Sequence, residues 1–289
     1  MLLAEAVEFL SPSPDGCYVD CTLGLGGHTM ALLEAGAGHV IGIDRDQDAI
    51  AVARERLGAF GDRVTFVHAD YRELPRVVRQ AGRAEVDGVL ADLGVSSMQL
   101  DAPERGFSFR QDGPLDMRMN RAAGPSLAEL LATVDETALA NVIYEFGEER
   151  KSRRVARAIV AARDSGALTG TLALASVVRR AAGGDTWQRL DPATRTFQAL
   201  RIWTNGELDG IEAFLEAAVA LVAPGGRVVV IAFHSLEDRV VKHTFRRLGA
   251  DESGTVRVVT RRPVVPTDAE AARNPRARSA RLRAVERVA

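Results

Sequence analysis

Carboxylates and a glycine-rich turn carry the first chemical signals in this chain. The run Asp20-Cys21-Thr22-Leu23-Gly24-Leu25-Gly26-Gly27-His28-Thr29 sets three glycines within four residues, between an apolar stretch and a helix-like one. Missing side chains let a backbone approach a ligand and offer its N–H groups. His28 lies inside this turn, where a ring can touch the same ligand. Asp44 follows Gly24 by twenty residues, a spacing that places a carboxylate where it accepts hydrogen bonds from both hydroxyls of a ribose. That pattern suits NAD and S-adenosylmethionine equally, and two points favour the second. A dinucleotide fingerprint opened at Gly24 needs its third glycine at position 29, which is Thr29, and a cofactor without pyrophosphate does not need that cradle. Ala69-Asp70-Tyr71 offers an acid and a ring to flank an adenine, or a helix cap with a core ring. Asp92-Leu93-Gly94-Val95-Ser96-Ser97 brings a further carboxylate, with Gln99 close behind. Phe233-His234-Ser235-Leu236-Glu237-Asp238 adds His234 as a proton-handling or structural residue; no elbow glycines surround Ser235, so a serine hydrolase is not indicated.

These residues matter together only if one scaffold gathers them. Short apolar runs at Cys17 to Cys21, His39 to Asp44, Val64 to His68 and Gly88 to Asp92 read as strands, with helices at Thr29 to Ala35 and Gln47 to Leu57 between them. Strands separated by helices give a doubly wound, mainly parallel α/β sheet, whose ligands bind at the carboxyl ends of the strands. The next buried strand, Arg227 to Phe233, follows a helix from about Leu208 to Leu221 and the punctuation Pro224-Gly225-Gly226. The stretch from 93 to 226 is far longer than a crossover requires, so a second unit is expected inside the first. It reads as helical: Ser126-Leu127-Ala128-Glu129 has capping-box spacing, Asp135 can cap the next stretch, and Glu149 to Arg163 is strongly helical. The expected domains are 1–104 with 206–289, and an all-helical insertion at 105–205. Val256 to Thr260 and Ala280 to Val288 read as a closing edge hairpin.

Composition narrows the setting. The 289 residues, 46% hydrophobic and 26% charged, describe a globular chain able to bury a full core. No window approaches a spanning helix, and Glu5 and Glu8 interrupt the apolar start, unlike a signal peptide, so a cytoplasmic protein is expected. Cys17 and Cys21 have no partners for a zinc site and are expected to be reduced and structural. The net charge of −2 is unevenly placed. From Arg257 to Ala289 nine arginines face three acids, a tract that binds phosphate backbones or merely forms a solvated edge.

With these residues in place the chain resembles one family throughout its length: the bacterial S-adenosylmethionine-dependent methyltransferases that modify N4 of a cytidine in the decoding region of 16S ribosomal RNA. The resemblance is carried by G-G-H-T (Gly26 to Thr29), D-L-G-V-S-S-M-Q-L-D (Asp92 to Asp101), E-R-G-F-S-F (Glu104 to Phe109), D-G-P-L-D-M-R-M (Asp112 to Met119), G-E-E-R (Gly147 to Arg150), P-A-T-R-T-F-Q-A-L-R-I-W-T-N-G-E-L (Pro192 to Leu208), A-P-G-G-R (Ala223 to Arg227), F-H-S-L-E-D-R (Phe233 to Arg239) and N-P-R-A-R-S (Asn274 to Ser279). It implies a methyltransferase fold with an inserted helical domain for RNA recognition. It also implies S-adenosyl-L-methionine as cofactor, held by Gly26, Gly27, His28, Asp44, Tyr71, Asp92 and Gln99, and 16S rRNA within the small ribosomal subunit as partner. Gln99 rests mainly on the resemblance. Family members usually carry a His and a short apolar stretch before the first Leu-Leu, whereas Leu2-Leu3 here follow Met1 directly, so a shortened start that lacks one wall of the site is expected. Tyr71 stands where Phe is frequent and keeps the ring.

The implied reaction defines what the residues must do. The exocyclic amine of cytosine is a poor nucleophile, so catalysis rests on holding it in line with the methyl group and on accepting its proton. Asp92 is the first candidate acceptor, with Asp116 and His234 behind it; Asp92 alternatively only orients the cofactor. Phe107, Phe109 and Trp203 either stack an extruded cytosine or form the core of the insertion. RNA contacts are expected from Arg150-Lys151-Ser152-Arg153-Arg154 and from the Asn274 to Arg283 loop. No metal is called for. The rival readings are a nicotinamide dehydrogenase, a DNA amino-methyltransferase and a non-catalytic cofactor-binding ribosome assembly factor.

Overall fold

The computed structural model describes residues 1–183, 191–252 and 254–289, and the chain divides into two compact units: Met1–Gly94 with Gly210–Ala289, and Val95–Asp209. The stretch 184–190 of the expected insertion lies outside the described residues. The first unit opens with α1 (Leu3–Leu10) and then alternates β1 (Cys17–Asp20), α2 (Gly27–Glu34), β2 (His39–Asp44), α3 (Gln47–Leu57), β3 (Val64–His68), α4 (Leu74–Gln80) and β4 (Val86–Asp92). Each start has a local cause. Asp46 caps α3 by accepting from the Asp48 N–H at 3.1 Å, and Asp70 and Glu73 form a reciprocal capping box on the turn before α4.

In the second unit α5 (Ser97–Asp101) is followed by α6 (Leu127–Thr133), α7 (Glu136–Gly147), α8 (Ser152–Asp164), α9 (Thr171–Ala182) and α10 (Ala193–Asn205). Ser126 and Glu129 cap α6 as their spacing indicates, and Asp135 accepts from the Ala138 N–H to start α7. Leu127, Leu139, Ile143, Val155, Ile159 and Leu174 fill this unit's own core. The helix expected from Glu149 begins later, at Ser152, because Glu148 takes left-handed angles (φ 50°) that close α7.

Back in the first unit, α11 (Ile211–Leu221) leads into β5 (Val222–Ala232), α12 (Ser235–Leu248), β6 (Val256–Val258), α13 (Asp268–Arg273) and β7 (Arg281–Arg287). The seven strands run in the order β3-β2-β1-β4-β5-β7-β6, parallel from β3 to β5, with β7 antiparallel to both of its neighbours. This is the doubly wound, mainly parallel sheet that the strand–helix alternation indicates. β5 starts earlier than Arg227: Val222 pairs with Val86, Arg227 pairs with Gly88, and the Pro-Gly-Gly stretch between them is absorbed by a shift in register. The last two strands form the antiparallel pair expected at the edge of the sheet. β7 lies between β5 and β6 and is buried from Leu282 to Glu286, which leaves the short β6 as the outer strand. Chain order reverses between β1 and β4, so the ligand crevice of such a sheet lies where those two strands end.

Candidate active site

At that reversal point the ends of β1 and β4 are tied together by a small buried network. Asp20, the last residue of β1, is fully buried; its carboxylate accepts from Thr29 Oγ1 at 2.8 Å and from the Thr22 N–H at 3.2 Å. Thr22 Oγ1 in turn accepts the backbone N–H of Asp92 at 2.6 Å, which links the glycine turn to the end of β4. The turn is fixed to β2 as well, through Leu23 N–H to the Ile43 carbonyl at 2.8 Å and Gly24 N–H to Asp44 Oδ2 at 2.7 Å. Asp44 Oδ1 accepts the Asp46 N–H at 2.8 Å. Each carboxylate oxygen keeps a second lone pair, so Asp44 can still accept from a ligand's hydroxyls.

The glycines of the turn have different causes. Gly26 is left-handed (φ 76°), and a Cβ there would stand 2.8 Å from Leu57 Cδ1, so the fold itself demands glycine. A Cβ on Gly27 would meet nothing within 4 Å. The protein's own packing therefore does not explain Gly27, and a ligand lying against the turn would. Tyr71, at the end of β3, is buried and packs edge-on against Phe214 with ring centroids 4.8 Å apart; burial raises its hydroxyl pKa.

Asp92 is strongly perturbed. Burial pushes its carboxyl up to about 7, the nearby chain-terminal ammonium works in the opposite direction, and Glu237 adds to the rise. Among the described residues Asp92 Oδ1 is buried with no hydrogen-bond partner, an exception of the kind that marks a ligand or a functional role. Asp92 Oδ2 lies 3.6 Å from His28 Nδ1, while His28 Nε2 is 3.1 Å from the Met1 carbonyl. Burial lowers the His28 pKa, so the imidazole is neutral near pH 7. Asp20 is shifted upward by burial too, and so is Asp44, where two backbone N–H groups oppose the rise.

The remaining candidates lie elsewhere or are already engaged. His234 caps α12: its Nδ1 accepts the Glu237 N–H at 3.4 Å and its Nε2 stands 3.1 Å from Glu237 Oε1. Glu237 Oε2 also accepts the Phe233 N–H at 2.9 Å, which fixes the carboxylate beside His234, whose Nε2 is buried with no hydrogen-bond partner among the described residues. Asp116 belongs to the second unit. Arg118 grips it at 2.7 and 3.1 Å; although burial would raise its pKa, the guanidinium holds the carboxyl below its ordinary range, which makes it a poor base. Gln99 also lies in the second unit, buried, with its Oε1 accepting the Ser96 N–H at 3.0 Å in a capping box. Phe107 is part of that unit's core, Trp203 packs against it, and Phe109 stacks edge-on with Phe197 at 4.6 Å. Phe107 is buried, whereas Phe109 and Trp203 are partly buried against that core.

Four of the nine arginines of the C-terminal tract are paired on its strands. Arg283 and Arg281 pair with Asp238 at 2.7 and 3.1 Å, Arg257 with Glu286 at 2.7 Å, and Arg287 with Glu85 at 2.9 Å. Lys151 donates to the Ala182 and Gly183 carbonyls at the end of α9. Residues that sequence reasoning passed over are Asp20, Thr22 and Thr29, which build the floor of the site, and Glu237. Their one signal was a carboxylate closing the first apolar strand with two threonines in the turn behind it. Cys17 and Cys21 are free and buried, and burial raises the pKa of both thiols. No helix among the described residues is long and apolar enough to cross a membrane.

Comparison with known proteins agrees with this layout. Residues 1–288 match the profile of the MraW methylase family. The ribosomal RNA small subunit methyltransferase H of Sorangium cellulosum is 54% identical, across 98% of this chain and 89% of its own length; that of Geobacter sulfurreducens is 50% identical, across 99% and 97%. The crystal structure of an rRNA methylase from Streptococcus thermophilus aligns over 100% of this chain and 98% of its own, with a TM-score of 0.46 and 12% identity. With a profile match over nearly every residue and relatives at half identity over full length, the chain belongs to the MraW methylase family.

Proposed function

We propose that this protein transfers a methyl group from S-adenosyl-L-methionine to N4 of a cytidine in the decoding region of 16S rRNA, within the small ribosomal subunit. The relatives' name supplies the RNA and its subunit, and the resemblance of the motifs supplies the atom. One observation carries the chemical part: a buried carboxylate, Asp92, stands at the strand-end reversal with a free acceptor oxygen and a pKa raised to about 7.

The residues suit such a cofactor. Asp44 offers acceptors to a ribose, the Gly26-Gly27-His28 backbone leaves room at Gly27, Tyr71 offers a ring edge to an adenine, and the unmatched Asp92 oxygen asks for a donor. Gln99 is assigned to the same cofactor on the resemblance alone. The cofactor supplies a methyl group activated by a positively charged sulfur. What the protein adds is positioning and proton acceptance. Ionised Asp92 accepts a hydrogen bond from the cytosine amine, draws its lone pair out of conjugation with the ring, and takes the proton as the new C–N bond forms and the old C–S bond breaks. The raised pKa makes Asp92 a far stronger base than an ordinary aspartate while leaving it largely ionised above pH 7. Neutral His28 beside it adds no positive charge to weaken that basicity.

The test is mass analysis of 16S rRNA from cells with and without this gene, followed by addition of purified protein to the unmethylated particles. The expected result is one cytidine lighter by a methyl group in the deletion and restored by the protein. Unchanged RNA would overturn the substrate. Cofactor binding without any methyl transfer would point to an assembly factor, and activity on naked DNA but not on the particles to a DNA enzyme.

A further inference from the structure

The two stretches expected to hold RNA differ once the side chains are placed. Residues 150–183 carry eight cations (Arg150, Lys151, Arg153, Arg154, Arg157, Arg163, Arg179 and Arg180) against one acid, Asp164, in a chain whose net charge is only −2. Some of these are tied down. Lys151 and Arg163 cap helix ends, and Arg179 pairs with Asp191 at 2.7 Å while lying over the Phe109 ring. Three of the others, Arg154, Arg157 and Arg180, converge on one place.

Between α8 and α9 runs a groove of about 560 Å³, within the second unit. Arg154 and Arg157, three apart and thus on one face of α8, stand on one side and Arg180 of α9 on the other, over a floor that includes Ala161, Val177 and Ala181. None of the three is firmly neutralised. Arg154 has no ion pair among the described residues. Arg180 donates to the neutral Ser176 hydroxyl at 2.8 Å. Arg157 meets Glu136 at 3.2 Å, but the two side chains are 75% and 40% exposed, and such pairs are worth little and exchange readily. Three guanidiniums around a floor of small apolar side chains fit a chain of alternating phosphates and flat rings. The cations take the phosphates, guanidinium planes stack on bases, and alanines leave clearance for riboses.

We propose that the α8–α9 groove grips the phosphodiester backbone of the substrate RNA, and that Arg257, Arg281, Arg283 and Arg287, held by Glu286, Asp238 and Glu85, contribute much less. This rests on the RNA reading above. It adds where the backbone lies and which three arginines hold it.

The test uses the full-length protein and a small-subunit rRNA fragment that the wild type binds, titrated across a range of salt. The Arg154→Gln, Arg157→Gln, Arg180→Gln triple variant should bind at least about tenfold more weakly and lower the salt slope by about 2 to 3, one unit for each lost phosphate contact. Its cofactor affinity and melting midpoint should be unchanged. Arg257→Gln with Arg281→Gln, both already paired, should change the slope by less than 1. Ultraviolet cross-linking of the wild-type complex, mapped by mass spectrometry, should place RNA on α8 and α9, and it stands even if the triple variant folds poorly. Wild-type binding and methylation with an unaltered triple variant and cross-links elsewhere would overturn the groove while leaving the RNA reading intact. Loss of binding to an acidic ribosomal protein, with RNA binding unaffected, would make the groove a protein-docking surface and also overturn the proposal. A wild type that binds no small-subunit RNA at any salt would remove both.

Discussion

Asp92 and Asp116 are both largely buried aspartates in motif-rich loops, yet the regions around them treat the carboxylate in opposite ways. At the end of β4 the sheet withdraws Asp92 from water and offers one of its oxygens no donor, so its proton is held to about pH 7. In the helical unit Arg118 supplies two charge-assisted hydrogen bonds, and Asp116 stays ionised well into acid. Burial alone does not make a base. Burial without a partner does, and a salt-bridged carboxylate holds structure instead.

Substitutions at these sites should separate the two regions, beginning with the reaction itself. Asp92→Asn should lower methyl transfer by about a hundred- to ten-thousandfold, the usual range for a lost proton acceptor, with cofactor affinity kept within about tenfold. Single-turnover rates alongside equilibrium binding would show it. A parallel loss of both would make Asp92 a cofactor ligand only. Asp44→Ala should act the other way round, weakening cofactor binding by roughly ten- to a hundredfold as hydrogen bonds to a charged group are lost, which calorimetry can measure.

Stability provides a contrast of opposite sign. Because the folded pKa of Asp92 is raised, the protonated form favours the fold: that contribution is full below the unfolded pKa near 4 and is lost as pH rises through about 7. Asp92→Asn should therefore melt higher than wild type at pH 8, with the difference vanishing by about pH 4. Asp116 has a lowered pKa, so its contribution is present above the unfolded value and lost as pH falls through the folded one. Asp116→Asn should cost about 1 kcal/mol at pH 7, less near pH 3, and change the transfer rate by less than about threefold. Gly27→Ala should show the smallest effect on the fold, neutral or stabilising by up to about 1 kcal/mol, since nothing in the protein fills that space. Any loss should appear in cofactor affinity alone.

Much of the first unit was legible because its signals are local. β3 and α3 lie at the residues their apolar spacing indicates, Asp44 closes β2, and Asp92 closes β4. Long-range pairing was not legible. Nothing near Arg281 or Arg283 announces that Asp238, more than forty residues upstream, pairs with both, so counting charge does not show which arginines of that tract are already engaged. The place of β7 between β5 and β6 depends on register across the sheet, which no window of sequence contains. Asp116 and His234 look like available acids and bases in sequence. Their neighbours, Arg118 two residues from Asp116 and Glu237 three residues from His234, become evident only in the structure. The inserted unit was visible as an interruption, but its ends, Val95 and Asp209, lie several residues outside the 105–205 that helix signals suggested, because compactness rather than periodicity defines them.

The most direct test is the pH dependence of methyl transfer at limiting substrate, for the wild type and for Asp92→Asn. If Asp92 is the acceptor, wild-type kcat/KM rises about tenfold per unit below an inflection near 7 and then levels, and the asparagine variant is slow and flat across the same range. The same rise persisting in the variant would assign the proton to another group and contradict the central claim.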